Sequence, residues 1–318
     1  GTTDIDVLIE VSAMVMVVAF LFKGGASIAI RWWSLGFIYR EESATSQRLL
    51  SYYLKAPYGL HVDRGSADFI RTMNDSVSVV FNLVVVGCVS VLTEATTIVL
   101  ITLMLLLVMP VPTIGFAAYF GIIAYVFLRF SRARTLKYGH VLTAASLDTY
   151  KSAMHALGAI KEVKIRNDSD YLESQYASAK DRFAWARQRA SFFGELPKYL
   201  LEMFFISGLA VATALLITFT GTSDSVALVA FLVAAGFRIL PSVARLLGAV
   251  SSIRVGGPSL SLVLKDVEAS SAAQDVVRSE PSVVTLRDCI EFDDVSFRYP
   301  RADAEVLRSI SLRIPAGS

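Results

Sequence analysis

Beyond Lys23 and Arg31 of the first apolar run, five ionisable side chains stand within or at the edge of the later ones: Glu94, Lys198, Glu202, Arg238 and Arg245. A charge near the centre of a bilayer costs several kcal/mol unless it is paired or faces water, so these residues are the first candidates for chemistry. Lys198 lies 23 residues before Gly221 and Arg245 lies 24 residues after it. If both runs are helical, each charge is about 35 Å from that turn and the two share one level. Arg238 precedes Arg245 by seven residues, which places both on one helical face. In a dimer of identical chains, Lys198, Arg238 and Arg245 would form a basic belt of six charges around a shared cavity. Such a belt suits a multiply anionic, phosphate-bearing cargo, to which arginine offers paired hydrogen bonds. A structural reading competes with it. Lys198 and Glu202 are spaced as an i, i+4 pair, and the arginines either neutralise Glu94 and Glu202 or snorkel to the inner interface.

These charges need apolar helices to hold them. Of 318 residues, 54% are hydrophobic and 18% charged, and the mean hydropathy is +0.55. Soluble domains carry about 25% charged residues. The composition therefore excludes a secreted disulfide scaffold, a disordered tail and a cytosolic enzyme of this length. With 30 basic and 28 acidic side chains, the balance gives no case for nucleic acid as a partner. Cys88 and Cys289 lie far apart and offer neither a disulfide nor a metal framework. Five runs are long enough to span a bilayer: Val11–Ile38 (interrupted by Lys23 and Arg31), Val77–Met109, Val111–Leu128, Tyr199–Phe219 and Val226–Val250. Basic residues crowd the stretches 40–75 and 129–189, while the N-terminal stretch and the turns near Pro110 and Gly221 have none. By the positive-inside rule residue 1 is outside and the end of the chain is cytoplasmic. An odd number of spans that begins outside leads us to expect that a preceding helix is missing. No cleavable signal is read at the start.

The stretches 41–76 and 131–190 read as helical arms that project beyond the membrane. In the second, Leu142, Leu147, Tyr150, Met154, Leu157, Ile160, Val163 and Ile165 recur at helical spacing. Breaks fall at Pro57-Tyr58-Gly59 and near Gly158. Lys23-Gly24-Gly25 lies within a span and lacks the strand and spacing of a phosphate loop; its glycines are expected to allow a kink or a close helix approach. Phe116, Tyr119 and Phe120 are expected to face lipid or the core. His61, His140 and His155 have no partner at metal spacing, so no metal site is expected. After Val267 a polar, Ala- and Ser-rich linker is expected, and then the period changes to two over Ile290–Pro300 and Val306–Ile314, which read as strands.

The run IEFDDVSFRYP followed by VLRSISLRIPAGS resembles the opening of an ABC-transporter nucleotide-binding domain. The segments YYLKAPYGLHVDRGSADFIRTMNDSVSVV and LGAIKEVKIRNDSDYLESQY resemble the two intracellular loops of ABC exporters. The resemblance implies an all-α polytopic membrane domain over 1–267, with five of six helices present, a linker over 268–288, and over 289–318 the first strands of a truncated α/β nucleotide-binding domain. It implies that Tyr299 stacks on the adenine of ATP, which acts with Mg2+ in the intact protein. On this reading the chain is a fragment of a half-transporter that lacks the Walker A phosphate loop, and is inactive alone. Two coupling helices are implied. The first involves Pro57, Tyr58, His61, Asp63 and Arg64, and the second Leu157, Gly158, Lys161, Glu162 and Lys164.

ELPKYLLE and AAGFRILPSVARLLGAVSSIR are similar to helices of bacterial lipid-linked oligosaccharide flippases. There the positions of Lys198 (usually Arg), Arg238 and Arg245 are associated with the pyrophosphate of a glycolipid, and Glu94 and Glu202 match the pattern. The resemblance implies a homodimer in the cytoplasmic membrane, with its nucleotide-binding domain in the cytosol, that moves an anionic glycolipid by alternating access. An exporter of drugs, peptides or other lipids on the same frame is the alternative. A membrane scaffold with a degenerate ATPase domain is a rival from another class, and the strand pair counts against a secondary carrier.

Overall fold

The computed structural model describes residues 2–167, 169–220, 222–276, 288–298 and 304–317. Five long helical paths dominate it, each with a window apolar enough to cross a membrane. In hydrocarbon a backbone must satisfy its own hydrogen bonds, and an unbroken helix does so. α1 runs Thr2–Lys55 and stops before Pro57. A short α2, Tyr58–Asp63, follows. The second path comprises α3 (Ser66–Arg71), a π-helical turn (Thr72–Ser76), α4 (Val77–Val79), a second π-helical turn (Val80–Val85) and α5 (Val86–Val108). α6 spans Pro110–Gly158. Its proline sits at the first turn, where a missing N–H costs nothing, and Met109, extended at φ −143°, makes the reversal from α5. α7 is the short Ile160–Arg166, and Asn167 closes it in the left-handed conformation at φ 50°. α8 covers Asp170–Thr220 and α9 Thr222–Val276.

The two breaks fall where proline and glycine suggested. α9 runs past Val267, into the segment expected as a linker. The physical reason is that no Gly or Pro occurs from Ser259 to Glu280 and the alanines there favour helix. The expectation for Gly24 and Gly25 is not met: α1 is unbroken there, and a Cβ at either position would have no neighbour within 4 Å.

The antiparallel hairpin of β1 (Cys289–Phe297) and β2 (Leu307–Pro315) matches the two strands read from the alternation. Cys289 pairs with Pro315 and Phe292 with Leu312. The register then shifts twice, between Phe292 and Val295, where Asp294 adopts φ 48° and donates its N–H to Ser311 Oγ, and between Val295 and Phe297, where Ser309 at φ 47° donates its N–H to Ser296 Oγ. Extra residues of this kind bend and twist a strand.

Two apolar clusters hold the helices. Within the membrane span, Phe120 and Phe127 of α6, Leu201 and Phe205 of α8, and Ile239, Val243 and Leu247 of α9 pack together. Tyr119 donates its hydroxyl to the Phe204 carbonyl at 2.9 Å. Around the end of α1, Leu49 and Tyr53 of α1, Phe69 of α3, Val77, Val80 and Val263 form the second cluster. Close helix approach depends on small residues. A Cβ on Gly139 of α6 would lie 2.5 Å from the Val255 carbonyl oxygen of α9, and one on Gly256 would lie 2.7 Å from Val84.

A polar network crosses the second cluster. Asp266 of α9, 6% exposed, accepts hydrogen bonds from the Tyr53 hydroxyl at 2.7 Å and from Arg64 at 2.8 and 2.9 Å. Arg64 also pairs with Asp68 at 2.6 Å, and Asp68 with Arg71 at 2.7 Å. Burial works against the Arg64 guanidinium, but its hydrogen bonds to Asp266 and Asp68 prevail and hold it above the ordinary arginine value. This network fastens the residue that ends α2 to the C-terminal part of α9.

Two outcomes follow for thermal unfolding in detergent. Asp266→Ala, which strands a partly buried guanidinium, lowers stability by about 3 kcal/mol. Gly139→Leu forces α6 off α9 and costs about 1–3 kcal/mol, while Gly24→Leu, facing open space, shifts the midpoint little.

Candidate functional site

A cavity of about 1350 Å³ lies among the second helical path, α6, α8 and α9. Its walls are largely apolar, with Leu83, Val86, Phe205, Ile206, Phe237 and Leu240 among them. Four of the five intramembrane charges line it: Glu94 from α5, Lys198 and Glu202 from α8, and Arg245 from α9. The arithmetic that put Lys198 and Arg245 at one level agrees with their sharing this wall.

Arg245 grips Glu94 with two nitrogens. Its Nε donates to Glu94 Oε1 and its Nη2 donates to Oε2 at 3.1 Å, with Ser242 Oγ at 3.3 Å. The Glu94 side chain is 14% exposed and that of Arg245 60%. The carboxylate is therefore packed into the wall, and the guanidinium presents its free edge to the cavity. Lys198 and Glu202 are exposed on the same wall, and among the described residues neither enters an ion pair. The Lys198 ammonium lies 5.7 Å from the Tyr199 ring centroid. Arg238 does not line the cavity; Phe237 and Leu240 do so at its level.

Toward the ends of the helices that carry the arms the cavity adds Arg71, Asp75, Arg187 and Glu195, none of which the sequence reading singled out as binding residues. Arg71, Asp75 and Arg187 lie in stretches read as extramembrane arms, where charge is ordinary, and Glu195 lies just past the second, so only the fold shows that they face inward. The lining thus holds four cations and four carboxylates. Asp75 accepts from Ser146 Oγ and from the Tyr150 hydroxyl, both at 2.9 Å. Arg71 is 3% exposed, and its Nε has no hydrogen-bond partner among the described residues. Both π-helical turns contribute to this end of the wall, through Asp75, Ser76, Asn82 and Leu83. Such turns widen a helix locally and recur at functional positions.

The residues expected to form coupling helices fall at the turns that carry α2 and α7. α2 carries Tyr58, His61 and Asp63, with Pro57 and Arg64 at its ends. His61 Nε2 lies 2.9 Å from the Tyr53 carbonyl oxygen and its ring packs on Phe69. α7 carries Lys161, Glu162 and Lys164, whereas Leu157 and Gly158 belong to the last turn of α6. Large apolar side chains are exposed at both turns, with Tyr58 at 74%, Leu157 at 72% and Ile165 at 83%. Tyr299 lies outside the described residues.

No protein-family model matches the chain, and no curated protein matches it. Among solved structures it is similar to a bacterial Atm1-family ABC exporter with ATP bound, at a TM-score of 0.65 and 17% sequence identity. The match covers 89% of this chain and 49% of that one, so the chain spans about half the length of the exporter chain it resembles. Five long apolar helices and a two-stranded hairpin together are the fold of an ABC-exporter transmembrane domain followed by the start of a nucleotide-binding domain.

Proposed function

We propose that this chain forms the membrane part of an ATP-driven exporter that works as a homodimer in the cytoplasmic membrane. Its cargo on this reading is an amphipathic lipid with an anionic head group, a lipid-pyrophosphate oligosaccharide being the favoured member. The observation that carries the reading is the joint presence of Lys198 and Arg245 on one wall of an otherwise largely apolar cavity. Apolar surface accepts a lipid body, and two cations at one level accept phosphate oxygens. Arg245 is already held by Glu94, so an incoming phosphate competes with that carboxylate for the same fork of donors. Lys198, free of ion pairing among the described residues, is the point of first contact. Arg238, off the wall, has no assigned contact in this reading.

ATP with Mg2+ supplies the energy in nucleotide-binding domains, of which β1–β2 is the opening hairpin. The described residues contribute what lies upstream of that chemistry. The exposed apolar tips of α2 and α7 support docking on those domains, and the Arg64–Asp266 contact ties the α2 tip to α9. The excess of basic residues in the arms supports a cytosolic position for these tips. A second reading has one observation in its favour. Four carboxylates balance the four cations of the lining, which suits a zwitterionic or cationic drug, peptide or lipid on the same frame.

The test uses the full-length gene product in proteoliposomes, with translocation of a short lipid-pyrophosphate oligosaccharide followed on addition of ATP. Lys198→Gln/Arg245→Gln is expected to lower the rate at least tenfold, which corresponds to about 1.4 kcal/mol of lost interaction, while ATPase activity persists. Arg238→Gln is expected to leave most of the transport intact. Export of a cationic dye with no movement of the glycolipid, in wild type and variant alike, overturns the anionic reading in favour of the second.

A further inference from the structure

The cavity changes character along its length. Beyond Lys198 and Arg245, toward the junction of α8 and α9, Phe205, Ile206, Phe237, Leu240 and Pro241 line it, with Glu202 the one charge among them. At the other end, toward the arms, the lining includes Arg71, Asp75, Asn82, Thr143, Ser146 and Arg187, interleaved with apolar side chains such as Leu83 and Phe183. Lys198 and Arg245 stand between the two ends.

Helical rise sets these groups against the membrane. Counted from the end of α8 at Thr220 and the start of α9 at Thr222, Phe205 and Phe237 each lie about 22 Å along. Lys198 lies about 33 Å along, Arg245 about 35 Å and Arg187 about 50 Å. The hydrocarbon core is about 30 Å thick. In the orientation that the basic arms support, the apolar end therefore meets the acyl chains of the inner leaflet, and the Lys198 level meets its phosphates. The Arg187 end lies past the head groups. Apolar, cationic, then polar is the order that a lipid of the inner leaflet presents from its tail to its head.

The polar end is held together by contacts within the chain. Arg182 of α8 pairs with Asp148 of α6 at 3.0 Å. Five residues back along α6 and five on along α8, which runs the opposite way, Thr143 and Arg187 are level. Nη1 of Arg71 reaches the Thr143 carbonyl at a long 3.4 Å, so both arginines stand at one level of the wall. Arg71 is 3% exposed, its Nη2 holds Asp68 at 2.7 Å, and its Nε finds no acceptor among the described residues. Arg187 enters no ion pair among them. Asp75 is fixed by Ser146 and Tyr150, both at 2.9 Å. Asn82 donates to the Ser78 carbonyl at 2.9 Å, and its amide oxygen takes only a long 3.4 Å contact from Tyr39.

Mixed sign at this end decides what it accepts. Asp75 opposes a second phosphate, and Arg71 with Arg187 opposes a cation. A hydroxyl both donates and accepts, so an uncharged polyol is served by all of them. Arginine, carboxylate and amide each offer two neighbouring polar atoms, which suit two neighbouring hydroxyls. We propose that the arm end of the cavity, at Arg71, Asp75, Asn82 and Arg187, is a subsite for the uncharged, hydroxyl-rich head of the cargo, loaded with its phosphate at Lys198 and Arg245 and its lipid toward Phe205 and Phe237. This inference rests on the anionic-lipid reading above and adds to it a sugar-like head, its seat and the direction in which the lipid lies. Arg187 precedes Lys198 by 11 residues, about 16 Å along α8, which leaves room for an extended head rather than a single small group.

The test measures binding to the full-length gene product in detergent, by native mass spectrometry and by titration. Two probes are compared: a lipid pyrophosphate that carries a short oligosaccharide and the same lipid pyrophosphate without sugar. The wild type is expected to bind the glycosylated lipid at least tenfold more tightly, the effect of about one hydrogen bond to a charged group. Arg71→Gln would strand Asp68, so the variant used is Arg187→Gln/Asn82→Ala, at exposed positions, with its melting temperature checked against the wild type. It is expected to lose the preference for the sugar while binding the bare lipid as before. Lys198→Gln/Arg245→Gln is expected to weaken both probes alike. Equal affinity of the wild type for the two probes, or an arm-end variant that keeps the preference or weakens both probes equally, overturns the subsite and leaves the phosphate reading standing. Failure of both probes to bind, or bare-lipid binding untouched by Lys198→Gln/Arg245→Gln, overturns the phosphate reading and the proposed loading with it.

Discussion

A charge carried into the membrane span must find a partner or water, and much of the arrangement of this protein follows from that constraint. Arg245 meets it both ways. Two of its nitrogens hold Glu94, brought from another helix, while the rest of the guanidinium faces the cavity. Lys198 and Glu202 meet it by opening onto the same hollow. The helices can therefore close tightly only on their other faces, where Phe120, Phe127, Leu201 and Leu247 pack together. The cavity is thus less a gap left by poor packing than the space that these charges require.

Outside the membrane the same economy operates through burial rather than depth. Asp266 is almost wholly enclosed, and its oxygens are taken up by Tyr53 and Arg64. Arg64 in turn holds Asp68, which holds Arg71 at the foot of the cavity. A continuous set of contacts thus runs from the end of α2, by way of Asp266 of α9, to Arg71 at one end of the cavity.

Much of this was legible in the residues themselves, and the reasons are local. Apolar runs of bilayer length identify the spans, Pro57 and Gly158 mark the breaks, and alternation over Ile290–Phe297 marks a strand. Helical rise alone placed Lys198 and Arg245 on one level, and both line one cavity. What escaped is non-local. Arg64 and Asp266 are 202 positions apart, so their spacing carries no signal. No residue within the π-helical turns of the cavity wall announces them, and the second turn packs closely on α9 at Gly256. Arg238 shares a helical face with Arg245 yet lies off the cavity, because a face is defined over a whole helix whereas a cavity ends where neighbouring side chains close it. The segment after Val267 was read from composition as a linker, but alanines without a breaker sustain the helix to Val276.

The central claim is that the charges borne by the apolar helices line a cavity open to water, which the outer surface of α6 and α8 does not share. Thiol accessibility measures this directly. In a background of Cys88→Ser/Cys289→Ser, single cysteines at Ser191, Ala244 and Ser252 report on the cavity and those at Ile122 and Phe204 on the outer surface. A membrane-impermeant thiol reagent applied to full-length protein in inside-out vesicles is expected to label the first three readily and the last two hardly at all. Labelling of Ile122→Cys and Phe204→Cys with protection of the cavity positions would contradict the account, since the charges would then be buried in protein or lipid without the water they need.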